Sequence, residues 1–564
     1  MRPGKTPALH LLLATFALGI AGPAGAQQVA GASEVRASVD EVFSGYDRTD
    51  SPGCALGVMH DGELVYARGY GMANLDHGIA LDPGSVFRIG SVSKQFTAAA
   101  IALAAQEGAL SLDDDIRRWL PEMPEYGRPI SVRMLLHHTS GIRDYLTLAD
   151  LVGLREDDWY TEAEALELIA RQRSTNFVPG SEFLYSNSGY FLLSQIIRRA
   201  TGKTLREYAE ERIFDPLDMN DTHFHDDHAE VVRDRASGYA PDGDGYRISM
   251  TTLDMVGDGG VFTTVEDLLA WDRNFYEPSV GGRELLSVLL RRGVLTGGDS
   301  LDYALGLEHG SYRGLPVVSH GGAFVGFRAD LVRFPEQRFS VVTLCNVATA
   351  DPTSLSYGVA DLFLTDFLES KTDADPASEA AAASDPPVEL SPESLSRWAG
   401  LYRDSGDGSY LRLEVRDRDL TVLVGPGYPL VAIDESRFRL EFAPVEFQFE
   451  EVKEARSLLL RQSGRESRYE SVEPALLTPA SASRYAGRYF AEELGTDYRI
   501  EASGEELTVR RGRGDPIPLE PATKDEFTMD GDLIVFEPAN GQRPQAFTID
   551  AGRVRGIRFE RLED

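Results

Sequence analysis

The chain has 564 residues and a formal charge of −34, too long for one ordinary core and long enough for two to four domains. A charge of that sign is repelled by nucleic acid and by anionic membrane surfaces, which excludes both as partners and reads as solubility outside the cytoplasm. After residue 26 no segment approaches the unbroken apolar length that a membrane span requires.

The chain opens with the basic stretch Met1-Arg2-Pro3-Gly4-Lys5, an apolar run from Ala8 to Ala21, and Ala24-Gly25-Ala26. Those three features in that order describe a secretory signal peptide over residues 1–26, so the mature protein is expected to be periplasmic or secreted. No cysteine follows the apolar run, and a lipid anchor is not suggested.

Val35 to Phe43 reads as a short amphipathic helix. Ala55 to His60 and Glu63 to Tyr70 are β-branched runs joined by Asp61-Gly62, a strong hairpin signal. The stretch Ser91-Val92-Ser93-Lys94 then runs into Thr97-Ala98-Ala99-Ala100-Ile101-Ala102-Leu103, and its helix formers predict a helix from about Ser91 to Gly108. Residues three apart share a helix face, so the Lys94 amine is expected beside the Ser91 hydroxyl. A buried lysine of depressed pKa can activate a serine, and a helix start offers free N–H groups to an oxyanion. Ser-x-x-Lys alone also occurs by chance as a capping serine and a solvated lysine.

Farther along, aspartates at Asp113-Asp114-Asp115 cap a short helix, and Ile130 to Leu136 leads to His137-His138-Thr139-Ser140-Gly141. Those two histidines are read as a turn that holds the wall of a site, because such bends need capping hydrogen bonds. A mostly helical, acidic stretch spans Thr147 to Arg173. Tyr185-Ser186-Asn187 follows on a tight turn before an apolar helix from Phe191 to Ala200, and its phenol and carboxamide can face one cavity.

His223-Phe224-His225-Asp226-Asp227-His228 matches the spacing of a zinc-hydrolase motif. It follows a loop rather than a buried strand, and the chain lacks the alternating strand and helix order of that fold. No metal and no cofactor are therefore expected.

Thr264 and Asp267 resemble a capping box after Gly257-Asp258-Gly259-Gly260. Leu315 to Ala323 reads as a strand whose end, His320-Gly321-Gly322-Ala323, is stripped of side chains so that a substrate can lie against its backbone. Phe327 to Phe334 and Arg338 to Cys345 continue as strands, and with the two early ones they predict a five-stranded antiparallel sheet split in sequence. A helix from Tyr357 to Leu368 closes this unit. Its two cysteines, Cys54 and Cys345, fall in apolar strand-like runs. A bridge is compatible with export, and two separate buried thiols are the preferred reading.

Ser91-x-x-Lys94, Tyr185-x-Asn187 and His320-Gly321-Gly322 stand in the order and rough spacing of the three active-site motifs of the penicillin-recognising serine hydrolases. The chain resembles that family, which includes class C β-lactamases, D,D-carboxypeptidases, D-aminopeptidases and related esterases, over about residues 35–370. The Leu135 to Gly141 run and the loop Pro216-Leu217-Asp218-Met219 are similar as well. The resemblance implies an α+β, β-lactamase-like catalytic domain. It casts Ser91 as acyl-forming nucleophile, Lys94 and Tyr185 as proton-transfer partners, and Asn187, His320, Gly321, Gly322 and Ala323 as the substrate-binding set. The N–H groups of Ser91 and Ala323 become the oxyanion hole. His320 stands where β-lactamases and most carboxypeptidases of the family carry lysine, and a neutral imidazole attracts a carboxylate poorly. The expectation is an aminopeptidase, amidase or esterase acting on a small peptide, amide or ester. A class C-like β-lactamase or D,D-carboxypeptidase, and a non-catalytic protein that binds cell-wall peptides, are the alternatives.

From Lys371 to Leu390 the composition shifts to Ala, Asp, Ser, Glu and Pro, as in a linker. Beyond it Ser396-Arg397-Trp398-Ala399-Gly400-Leu401-Tyr402 recurs as Ser483-Arg484-Tyr485-Ala486-Gly487-Arg488-Tyr489, and Leu420-Thr421-Val422 recurs as Leu507-Thr508-Val509, both 87 residues later. Short alternating strands broken by Asp, Gly and Pro predict two small antiparallel, lipocalin-like barrels, over 391–475 and 476–564. The catalytic domain then occupies 27–370. One hydrolase domain and two barrels resemble the bacterial D-aminopeptidases of the family, in which a barrel loop helps shape the active site; whether a loop does so here, and the oligomeric state, are left open.

Overall fold

The computed structural model describes residues 30–155, 158–370, 387–424, 427–440, 445–452, 455–462, 465–512, 514–537 and 542–563. The expected signal peptide and residues 371–386 of the expected linker lie outside the described residues. Among the described residues no helix is long and apolar enough to cross a membrane.

The strand-forming runs assemble into an antiparallel sheet in the order Glu308–Tyr312, Leu315–Phe324, Phe327–Phe334, Phe339–Cys345, Cys54–His60, Glu63–Tyr70. It has six strands rather than five. The extra one, Glu-His-Gly-Ser-Tyr, lies at the edge and is mostly solvent-facing, so it carries no apolar alternation to announce it. The two central strands are instead buried on both faces and read as continuous apolar runs. One face packs against the helices that surround Lys94–Gln106; the other packs against Ala32–Val42 and Pro352–Phe363.

The split sheet is sealed where its halves meet. Cys54 and Cys345 are direct cross-strand partners and form a disulfide, which corrects the preference for separate thiols. Composition could not pair them, because they stand 291 positions apart and only register brings them face to face. The last helix also starts earlier than expected, at Pro352 with Asp351 as its cap. Asp-Pro was the available start signal.

The nucleophile region is a 3₁₀ turn, Gly90–Ser93, followed by the helix Lys94–Gln106. Every residue from Lys94 to Ala104 is buried, and its many alanines let neighbours approach from all sides. Ser93 Oγ accepts from Val261 N at 3.0 Å and Thr97 Oγ1 donates to Gly257 O at 2.7 Å, which fastens this helix to the glycine-rich loop.

The repeat yields two β-barrels, as expected. Strands from Gly400–Asp404 to Arg465–Val472 close an eight-stranded barrel. Nine strands from Gly487–Ala491 to Val554–Arg561 form the second, whose edge strands Ile517–Pro518 and Glu520–Pro521 are neighbours in the chain, so the sheet curls nearly shut. The repeated residues make repeated contacts. Tyr402 Oη donates to Trp398 O at 2.9 Å and Tyr489 Oη to Tyr485 O at 2.8 Å. Gly400 and Gly487 adopt φ of +147° and +157°, and an arginine covers each, Arg456 in one copy and Arg561 in the other.

The second barrel is docked on the hydrolase domain. Leu148 and Leu151 of the helix Tyr145–Val152 belong to its core, and Tyr498 Oη donates to Leu151 O at 2.7 Å. Arg143, buried to 1 % exposure, donates twice to Arg555 O and also to Glu493 Oε1 at 2.9 Å.

Candidate active site

The site is built at the start of the nucleophile helix. Lys94 is fully buried, and its Nζ donates to Ser91 Oγ at 3.2 Å, to Asn187 Oδ1 at 3.0 Å and to Asp258 O. It also lies 4.7 Å from the centroid of the Tyr185 ring and 5.5 Å from that of Tyr190. Burial penalises the ammonium and pulls Lys94 down to about 7, against the attraction of Asp258 and with help from Arg553. An amine that is about half neutral near pH 7 and lies within reach of a hydroxyl can take its proton. Burial acts in the opposite sense on Asp258, whose carboxyl is pushed up and accepts from Tyr145 Oη at 3.1 Å.

Asn187 is not on a free turn. It is the first residue of the helix Asn187–Thr201, and its N–H donates to Asp144 Oδ2 at 2.6 Å. Asp144 caps its own helix with Oδ1, accepting from Leu146 N and Thr147 N. One carboxylate therefore fixes both helix starts that flank the cleft.

Tyr185 Oη is buried and makes no hydrogen bond of ordinary length. Burial pushes its pKa far up, and among the groups that oppose this the Ser91 hydroxyl comes first. The phenol therefore stays protonated rather than resting as a phenolate. His138 holds its ring from behind, stacked at 4.1 Å between centroids. His138 has φ of +56°, a left-handed conformation that costs an L-residue about 1 kcal/mol or more.

A chain of hydrogen bonds links that histidine to the substrate strand. Ser186 N donates to His138 Nδ1 at 3.1 Å, the opposite nitrogen lies 3.1 Å from Tyr303 Oη, Tyr303 Oη lies 3.1 Å from His320 Nε2, and His320 Nδ1 meets Gly321 O at 2.6 Å. The two ends decide every proton between them. An amide N–H can only donate and a carbonyl can only accept, so His138 carries its proton on Nε2, Tyr303 donates to His320 Nε2, and His320 donates through Nδ1. Both imidazoles are neutral, and burial drives His320 down to about 4 and His138 well below the ordinary histidine value. His320 lines the cleft with both nitrogens already engaged.

The substrate strand runs against the nucleophile turn with no room between them. A Cβ on Gly322 would stand 2.1 Å from Ile89 O and 3.2 Å from Ser91 N, and one on Gly90 would stand 2.8 Å from Ala323 N. The amides of Ser91 and Ala323 are thus close neighbours at the cleft. Residues 320–324 lie past the strand Glu308–Tyr312, whose pairing ends at Ser319, which leaves one edge of this segment open to an added strand.

Ser91, Tyr185, Asn187, His320, Gly321, Gly322 and Ala323 all line one cleft of about 1510 Å³, with Lys94 at its floor through Ser91. The sequence reading missed four residues there: Asp144, Asp258, Tyr303 and Arg553. Arg553 sits in the turn of the last hairpin of the second barrel, lies 4.7 Å from the Tyr185 ring centroid and 3.9 Å from Asp144 Oδ2, and lines the cleft. A barrel loop therefore does form part of the wall. Single residues of this kind carry no spacing signal.

The fold and the Ser–Lys–Tyr arrangement define a serine hydrolase. The Beta-lactamase family model matches residues 39–362, more than half of the chain, and this protein belongs to that family of penicillin-recognising enzymes. A D-aminopeptidase of Cereibacter sphaeroides is 27 % identical over 515 residues, covering 90 % of this chain and 93 % of the relative. Among solved structures, the octameric penicillin-binding protein homologue from Pyrococcus abyssi superposes with a TM-score of 0.55 at 21 % identity, over 86 % of this chain and 99 % of that one. The D-amino acid amidase from Ochrobactrum anthropi SV3 gives 0.51 at 23 % identity, over 59 % of this chain and 98 % of that one. At those identities the two structures support the fold.

Proposed function

We propose that this protein is an exported peptidase or amidase that cleaves bonds next to a D-residue through an acyl-enzyme on Ser91. The observation that carries the reading is the buried Lys94 amine, its pKa lowered to about 7, 3.2 Å from Ser91 Oγ. The full-length similarity to a D-aminopeptidase supports the substrate class. The Cys54–Cys345 bridge and the basic-apolar start of the chain support export, since such bridges persist in oxidising compartments.

In the proposed reaction Ser91 Oγ attacks the substrate carbonyl carbon while its proton passes to Lys94 Nζ. The carbonyl oxygen gains the negative charge and is held by the amides of Ser91 and Ala323. Tyr185 delivers a proton to the leaving nitrogen as the C–N bond breaks, and is reprotonated through Lys94. Water then attacks the ester and returns the proton to Ser91.

A carboxylate-bearing substrate, as in the carboxypeptidase branch, is favoured by one observation: the Arg553 cation over the cleft beside Tyr185. D-amino acid amides, peptides with a free C-terminal carboxylate, short-chain esters and a chromogenic cephalosporin assayed side by side separate the two readings. Intact-mass analysis after a fluorophosphonate tests both. One adduct located on Ser91, and loss of turnover in Ser91→Ala, are expected; an active, folded chain that takes no adduct on Ser91 overturns the proposal.

A further inference from the structure

The histidine-rich stretch set aside in the sequence is divided by the structure. His228 leaves the group, its Nδ1 lying 3.0 Å from each oxygen of Asp254 and its N–H donating to the same carboxylate at 2.6 Å. His223 and His225 stay together, and Glu230 folds back to join them, so that one ligand atom from each lies within 4.8 Å of the others. We propose that His223, His225 and Glu230 form a zinc site that serves the fold and not the reaction.

Three features carry this. First, His223 Nε2 and His225 Nδ1 face each other at 3.2 Å, and Glu230 Oε2 lies 4.0 Å from His225 Nδ1. Tetrahedral zinc bound at its usual distance from nitrogen needs its ligands about 3.3 Å apart, so the two nitrogens are already spaced for it, while the carboxylate, within 4.8 Å of both, closes on the ion by up to about 1.5 Å. Second, His225 is 1 % exposed and stacks on Phe262 at 4.2 Å, so its ring is fixed before any ion arrives. Third, Arg206 donates to both oxygens of Glu230 at 2.6 and 2.9 Å and to Asp226 at 3.0 Å, which orients the ligand carboxylate as an outer partner does.

The place of the site defines its role. None of the three residues lines the catalytic cleft. His223 and Phe224 pair with Phe262 and Val261, and His225 N donates to Gly260 O at 2.8 Å, directly after the loop whose Asp258 carbonyl receives Lys94. An ion here would fasten the 225–230 segment to the edge of that small sheet. Three protein ligands leave a fourth position for water, and the nearby Arg206 and Arg235 cations make the site weaker than a closed four-ligand one.

The test uses the full chain stripped with a chelator and dialysed, titrated with Zn²⁺ against a chromophoric competitor, with Co²⁺ as a spectroscopic stand-in. One equivalent of zinc, the intense visible bands of tetrahedral Co²⁺, and a rise in melting temperature on zinc addition are expected. His223→Ala and Glu230→Gln, both at partly exposed positions, should weaken binding at least tenfold, while His228→Ala should bind as the parent does. A chain that binds no zinc, one whose Co²⁺ spectrum is that of the hydrated ion, or undiminished binding in both His223→Ala and Glu230→Gln overturns the proposal.

Discussion

The guanidinium of Arg553 rests 4.7 Å from the ring centroid of Tyr185 and 3.9 Å from the carboxylate of Asp144, although it belongs to the last hairpin of the second barrel. Its charge also disfavours protonation of Lys94. Arg553→Gln should therefore raise the lysine pKa and move the acid limb of kcat/KM to higher pH, by up to about one unit. A pH–rate profile on a D-amino acid amide reads this directly.

In the parent enzyme the acid limb itself follows from burial of Lys94. Below about 7 the amine is protonated and cannot receive the serine proton, so kcat/KM should rise as pH passes through that value. Lys94→Ala should cost roughly 10²–10⁴-fold in kcat and abolish the limb. Steady-state kinetics from pH 5 to 9, about two units on either side, would show both effects.

Tyr303 is the middle of the wire that sets the tautomers of His138 and His320. Tyr303→Phe leaves a buried N–H and a buried ring nitrogen without partners, a cost of about 1–3 kcal/mol. Because His138 backs the Tyr185 ring, the variant should lose both melting temperature and kcat, which calorimetry and turnover measure separately.

Behind the nucleophile helix, Arg333 and Asp272 form an ion pair at 2.8 Å with each side chain 1 % exposed, and Ser340 donates to the same carboxylate oxygen. Asp272→Ala strands a buried guanidinium and should destabilise the protein by roughly 3–5 kcal/mol. Chemical denaturation gives the value, and a smaller loss in an Asp272→Leu/Arg333→Met pair would attribute it to the stranded charge.

The Cys54–Cys345 bridge closes a loop of 291 residues and joins the two halves of the sheet. Its removal in Cys54→Ser/Cys345→Ser should cost about 2–4 kcal/mol, chiefly by freeing the unfolded chain. The melting temperature should fall with reductant in the parent and stay constant in the variant.

Local chemistry was the legible part. Asp61-Gly62, the alanine-rich helix, the glycine-stripped strand and the 87-residue repeat all carry short-range patterns, and each appears in the structure where residue spacing put it. What could not be read depends on distant partners. Asp258 looks like one more turn aspartate until the fold sets its carbonyl on Lys94, Tyr303 lies in a polar stretch without periodicity, and Arg553 has no neighbour in sequence that hints at Tyr185. The cysteines were visible as residues and unreadable as a pair, since register alone joins them.

The docked second barrel also has a consequence for how the enzyme comes into being. Synthesis and the proposed export both run from the N-terminus, so the nucleophile region, and then the strands that flank it, emerge long before the turn bearing Arg553. The hydrolase core can collapse early around an unroofed groove, whose wall is completed only when the final hairpin settles onto it. Maturation of this catalyst is in that sense written from one end of the polypeptide and completed from the other.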